Sequence, residues 1–133
     1  MPGTVYLDSS AMLKLVVREA ETPVLEAYLA DCDGLVASRL AVLECRRAAQ
    51  RASHARLLQR VDEVLDAIYL LEITPAILDE AAIVEPPILR SLDAIHLATA
   101  LSVGEEQLEM ITYDARLADA ARASGLAVTQ PGR

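Results

Sequence analysis

Short apolar runs alternate with segments of helical periodicity along the whole chain, and that alternation restricts the possible folds more than any other feature. TVYL is followed by a helical pattern from Ser10 to Val17, with Ser9 or Ser10 placed to cap its first amides, and a second helical stretch covers about Thr22 to Leu29. Gly34 introduces the run LVAS, two longer helical patterns span about Arg39 to Ala52 and His54 to Ile68, and YLLEI reads as a third strand. Pro75 suits the first turn of a helix reaching about Val84, which Pro86 and Pro87 stop. A nearly all-apolar helix from Ser91 to Val103, the strand LEMITY, a helix over Ala115 to Ser124 ended by Gly125, and the short run LAVTQP complete the order. Strands separated by helices predict an α/β domain of three layers, with a central, mainly parallel sheet of short strands covered on both faces. No repeat or linker interrupts the pattern. The expectation is one domain over residues 1–130 and a short C-terminal tail, 131–133, that frays.

A chain of 133 residues with 53% hydrophobic residues can bury its own core. With no Phe, no Trp and four tyrosines, that core must be aliphatic, and an aromatic ladder for stacking bases is excluded. Twelve basic against twenty acidic residues give a net charge of −8, which opposes diffuse binding to a polyanion. Lys14 is the single lysine, so the remaining positive charges are arginines, which suit bidentate phosphate contacts. Cys32 and Cys45 lack paired-ligand spacing and are expected to stay reduced thiols in a cytoplasmic protein. The start MPGTVYLD has no secretory pattern, and no apolar stretch approaches membrane-spanning length, so a soluble protein away from the membrane is expected.

Four acids stand against this apolar background: Asp8 ending TVYLD, Glu44 in RLAVLECRR, Asp93 in SLDAIHLATA and Asp114 in MITYDARL. Asp8 and Asp114 each close a strand, at the sheet edge where open α/β folds collect ligands, although either alone could be a helix N-cap. Glu44 lies among core-type neighbours, with a pair to Arg47 as its ordinary explanation. Asp93 would face a dry environment unless Ser91 caps its helix and the first-turn dipole favours the charge. Gathered together, two such charges about 5 Å apart repel by roughly 3 kcal/mol at an effective dielectric near 20. A shared proton or a hard divalent cation must then join them. His96, one turn after Asp93, reads as a hydrogen-bonded core residue, His54 carries no site signal, and Asp119 belongs on a solvated helix face. Ser9, Ser10 and Thr112 are placed to orient the neighbouring acids. On a helix advancing about 100° per residue, Arg47 and Arg51 project within about 60° of Glu44, where they could hold phosphates.

YLDSSAMLKL, the LE of the helix near one-third of the chain, RSLDAIHLATA and ITYDARLADAA together resemble the PIN-domain nucleases, and in length and order the VapC-type toxins among them. The resemblance spans essentially the whole chain and rests most on the last two segments. It implies a PIN-like fold with an acidic metal site on Asp8, Glu44, Asp93 and Asp114, and supporting hydroxyls on Ser9 and Thr112. The implied activity is Mg²⁺-dependent hydrolysis of RNA phosphodiesters, with Mn²⁺ substituting, that leaves 5′-phosphate and 3′-hydroxyl ends. It further implies a homodimer and a cognate VapB-like antitoxin that blocks the acidic groove, often with an arginine. A phosphorelay receiver needs a lysine after a late strand, and a haloacid-dehalogenase-like phosphatase needs a second Asp where Ser10 stands, so both fail. A non-catalytic scaffold on the same fold is the remaining alternative, and the intact acids argue against it.

Overall fold

A computed structural model describes residues 3–52 and 55–133. In chain order the elements are β1 (Thr4–Leu7), α1 (Ser9–Val16), α2 (Thr22–Ala30), β2 (Gly34–Ser38), α3 (Arg39–Arg51), α4 (Ala55–Leu65), β3 (Tyr69–Leu71), α5 (Pro75–Ala81), α6 (Ser91–Ser102), β4 (Glu109–Ile111), α7 (Ala115–Ala123) and β5 (Ala127–Thr129). His54, expected to open the fourth helix, lies outside the described residues. The helix begun by Pro75 is shorter than expected: it has Ala81 as its last residue, with Thr74 as its N-cap accepting from the Ile77 amide at 3.2 Å.

The sheet has the order β3-β2-β1-β4-β5, and each pairing is parallel, so the mainly parallel expectation becomes a wholly parallel sheet among the described strands. Parallel strands need crossovers, which the intervening helices supply on both faces. Alternation along β1 sets the two cores. Val5 and Leu7 join Ala11, Met12, Leu25, Ala41, Cys45 and Val61 on the face carrying α1 to α4. Tyr6 points the other way and packs with Leu97, Met110, Leu117 and Ala121 beneath α6 and α7. The core is aliphatic apart from buried tyrosines and His96.

Two features were not anticipated from the sequence. Residues 130–133 do not fray: Gln130 Nε2 donates to the Thr112 carbonyl at 2.9 Å, Tyr113 Oη donates to the Pro131 carbonyl at 2.8 Å, and Pro131 is buried. Gly132, at φ +90°, brings its backbone so close to Glu21 that a Cβ there would lie 3.1 Å from Glu21 atoms. Arg133 then reaches Glu21 at 2.9 Å, which anchors the segment electrostatically. The second feature is Lys14, which is 6% exposed and bonds both Glu19 and Glu21 at 3.1 Å, with its ammonium 4.7 Å from the centre of the Tyr113 ring. Donation from Arg133 and then Lys14 holds the Glu21 carboxyl down at about 2.

Cys32 and Cys45 are free thiols. Burial pushes the Cys45 thiol up to about 12, well away from the nucleophilic range. No described helix is long and apolar enough to cross a membrane.

Candidate functional site

The chain leaves β1, forms β2 and β3 on one side, and then returns to form β4 and β5 on the other. The β1/β4 boundary is therefore the point where strand order reverses, and in open α/β sheets a crevice opens there at the carboxyl ends of the strands. Leu7 pairs in register with Ile111, so the next residues, Asp8 and Thr112, emerge side by side at that edge. Two residues later the chain places Asp114 at the entrance to α7.

Asp8 continues the alternation of β1, so it follows Tyr6 toward the α6 side, and it is 2% exposed. Its Oδ1 accepts from the Ala11 amide at 2.9 Å and from the Ser10 hydroxyl at 2.7 Å, while its Oδ2 accepts from Thr112 Oγ1 at 2.5 Å. Asp8 itself is thus the N-cap of α1, in place of Ser9 or Ser10. Desolvation raises its pKa, chiefly against the opposing pull of the Thr112 hydrogen bond. Asp114 likewise caps α7, accepting from the Leu117 amide at 2.9 Å. Both capping explanations hold at the same time as the convergence at the strand edge.

Asp93 sits in the first turn of α6, whose N-cap is Arg90 rather than Ser91. Its carboxyl is pushed up by burial first, then by Asp114, with Asp8 and Glu44 adding further repulsion and His96 opposing them. Asp93 is therefore within electrostatic reach of the other three acids. Glu44, in the second turn of α3, takes His96 as its partner, with Nε2 to Oε1 at 2.8 Å, rather than the Arg47 that would be its ordinary explanation. Among the described residues, no group of three or more His, Cys, Asp or Glu side chains is already arranged as a metal cage. Without a cation the accumulated repulsion opposes such a closure, at roughly 3 kcal/mol for each pair brought to about 5 Å. The donor chemistry is nonetheless specific: four carboxylates offer only oxygen, the set that hard divalent cations take and soft ones do not.

The hydroxyl reaching Asp8 from α1 is that of Ser10, not of Ser9. An N-cap carboxylate that accepts the amide three residues on turns its oxygen over the second residue of the helix, which is why position 10 is favoured. Ser10 also accepts from the Tyr113 amide at 2.9 Å, so it ties the two strand ends together. Thr112 lies between the acids as expected, accepting from the Asp114 amide at 3.1 Å. Arg47 and Arg51 are exposed on α3. Asp119 is exposed and 3.6 Å from Arg122, on the solvated face where it was expected. His96 was expected in the core and is there, 1% exposed, but its contact with Glu44 gives it a place in the crevice that its spacing did not announce.

The PIN domain family profile matches residues 5–123, and the chain belongs to that family. Over 130 residues it is 43% identical to ribonuclease VapC46 of Mycobacterium tuberculosis (strain ATCC 25618 / H37Rv), covering 97% of this chain and 98% of that protein. Its fold is similar to that of VapC20 of Mycobacterium tuberculosis, a sarcin-ricin loop cleaving toxin, with a TM-score of 0.73 at 15% identity over 96% of this chain and 99% of the other. A toxin-antitoxin complex from Klebsiella pneumoniae contains a chain matching with a TM-score of 0.72 at 23% identity, over 96% of this chain and 97% of that one.

Proposed function

We propose that this chain is the toxin of a toxin–antitoxin pair and acts as a divalent-metal-dependent endoribonuclease. The observation that carries the reading is the convergence of Asp8 and Asp114 at the strand edge where the sheet order reverses, beside Asp93, whose carboxyl is pushed up by burial and then by Asp114. Support comes from the nearly full-length likeness to a protein named a ribonuclease. In this reading Asp8, Glu44, Asp93 and Asp114 hold Mg²⁺, with Mn²⁺ able to substitute. The bound ion would supply charge neutralisation at the scissile phosphate and make water a competent nucleophile at neutral pH.

The protein's own part is positional. Ser10 and Thr112 fix both oxygens of Asp8, capping fixes Asp114, and the first turn of α6 presents Asp93. Attack of water on phosphorus with cleavage of the P–O3′ bond would leave a 5′-phosphate and a protonated 3′ oxygen as the hydroxyl, with no covalent enzyme intermediate. Hydrogen bonding to Asp8, and for Thr112 full burial, leave the Ser10 and Thr112 hydroxyls orienting the acids rather than acting as nucleophiles. Arg47 and Arg51, on the helix that carries Glu44, offset the net charge of −8 locally by holding backbone phosphates. Changing both to Ala should weaken RNA binding several-fold and flatten its salt dependence by about two phosphate contacts; an unchanged slope would remove them from the RNA path.

The same acidic crevice suits a guanidinium from a VapB-like antitoxin, in line with the toxin–antitoxin complex of similar fold. A homodimer acting in the cytoplasm completes the proposal. Stripping divalent cations with a chelator should abolish RNA cleavage, and millimolar Mg²⁺ or Mn²⁺ should restore it. Full cleavage in excess chelator would sink the metal-dependent reading and leave a different hydrolytic chemistry to find.

A further inference from the structure

His96 joins the deepest part of one core to the edge of the crevice. Its Nδ1 lies 2.7 Å from the Tyr6 hydroxyl and its Nε2 lies 2.8 Å from Glu44 Oε1. Tyr6 is fully buried, His96 is 1% exposed, and the Glu44 side chain is 24% exposed, so the chain of hydrogen bonds runs from dry interior to wet cleft. The two rings meet edge to face, with centroids 5.9 Å apart, which fixes the imidazole plane.

The proton positions follow from chemistry. A phenol keeps its proton at neutral pH, so the buried Tyr6 hydroxyl donates to the imidazole nitrogen it faces. Nδ1 is then the acceptor, and Nε2–H is left to donate to the Glu44 carboxylate. Both ring nitrogens of His96 thus have a partner, and no buried polar side-chain atom among the described residues lacks one. Because His96 stands one turn after Asp93, a single helix both presents one acid and steers another that arrives 49 residues earlier on α3.

We infer that Tyr6 and His96 form a positioning relay that sets the tautomer and orientation delivering Glu44 to the cation proposed for the acidic crevice. This rests on the metal reading above and adds to it two residues that are not ligands. The relay acts as outer-shell hydrogen bonds do at metal centres, where their loss typically weakens affinity by about 10–100-fold.

The test is Mn²⁺ binding, followed by the paramagnetic resonance signal of the free ion, on the full chain and its variants. His96→Leu should weaken binding by about tenfold or more. His96→Gln, which keeps an N–H donor toward Glu44, should recover most of that loss, and Tyr6→Phe should weaken binding by a few-fold. Nitrogen–proton correlation spectra of the wild-type chain, with the two histidines assigned by difference against His96→Gln, should show His96 protonated at Nε2 and bare at Nδ1. If His96→Leu does not fold, His96→Gln, Tyr6→Phe and the tautomer spectrum still decide. Wild-type affinity in both His96→Gln and Tyr6→Phe, or a proton on Nδ1, would overturn the relay while leaving the metal site standing. A wild-type chain that binds no Mn²⁺ would overturn both.

Discussion

Asp93→Asn is expected to remove detectable Mn²⁺ binding at millimolar concentration and to lower RNA cleavage by about a hundredfold or more, while the metal-free variant melts at a higher temperature than the wild type. The opposite signs share one cause. The Asp93 carboxyl is raised by burial and by Asp114, Asp8 and Glu44, so it binds its proton more tightly when folded than when unfolded. Above the unfolded-state pKa, ionisation of a carboxyl raised in this way costs the folded state stability, and a neutral amide relieves that cost. A divalent cation reverses the balance, because the charge that destabilises the empty crevice is the charge that holds the ion. Wild-type protein should accordingly gain thermal stability on adding Mn²⁺, and the variant should not. Asp93 is a cleaner probe than Asp8, whose carboxylate also caps α1 and accepts from Ser10 and Thr112. A variant that binds Mn²⁺ like the wild type would take Asp93 out of the metal set.

Thr112→Val should cost about 1–3 kcal/mol of stability and reduce cleavage by about tenfold or more. The side chain is fully buried, and Val nearly matches its shape, so little of the effect comes from packing. What is lost is one oxygen with several partners: Oγ1 donates to Asp8 Oδ2, accepts from the Asp114 amide, and lies 3.4 Å from Ser10 Oγ. Valine leaves a buried carboxylate oxygen and a backbone N–H unpaired together, which is costlier than removing both members of a pair. The Asp8 pKa, already raised, should rise further, since the Thr112 hydrogen bond is the strongest influence holding it down. Thr112→Ser keeps the oxygen and should retain most of the stability and activity. Chemical unfolding and single-turnover cleavage on the two variants would separate these outcomes, and near-equality of Val and wild type would show that the hydroxyl orients nothing.

The order of strands and helices was readable because each element carries its own periodicity: TVYL and LEMITY are compact apolar runs, and α4 repeats its apolar residues at helical spacing. The arrangement of the strands was not. Nothing local to YLLEI says that β3 lies outside β2 while β4 lies on the far side of β1, because that choice is made by tertiary pairing. The acids could be picked out one by one from their apolar neighbours, and the strand-end position of Asp8 and Asp114 follows from the parallel order. Ser10 in place of Ser9 depends on the direction of a cap, which sequence spacing alone does not resolve. The bond from His96 to Glu44 joins helices distant in sequence, and an amphipathic pattern cannot report which polar residue another will meet. Residues 131–133 read as a frayed tail because they are terminal and without a periodic pattern, yet Pro131 is buried and accepts from Tyr113, and Arg133 finds Glu21 from the far end of the chain.

The burial of Lys14 has a practical corollary. It is the chain's single lysine, and its amine is engaged by two carboxylates and an aromatic face. Acylating reagents, amine-reactive dyes and lysine-directed cross-linkers thus meet a folded surface with no accessible side-chain amine. Enzymes that conjugate or acetylate lysine meet the same surface, so labelling at Lys14 would report opening of the α1–α2 corner rather than ordinary surface exposure.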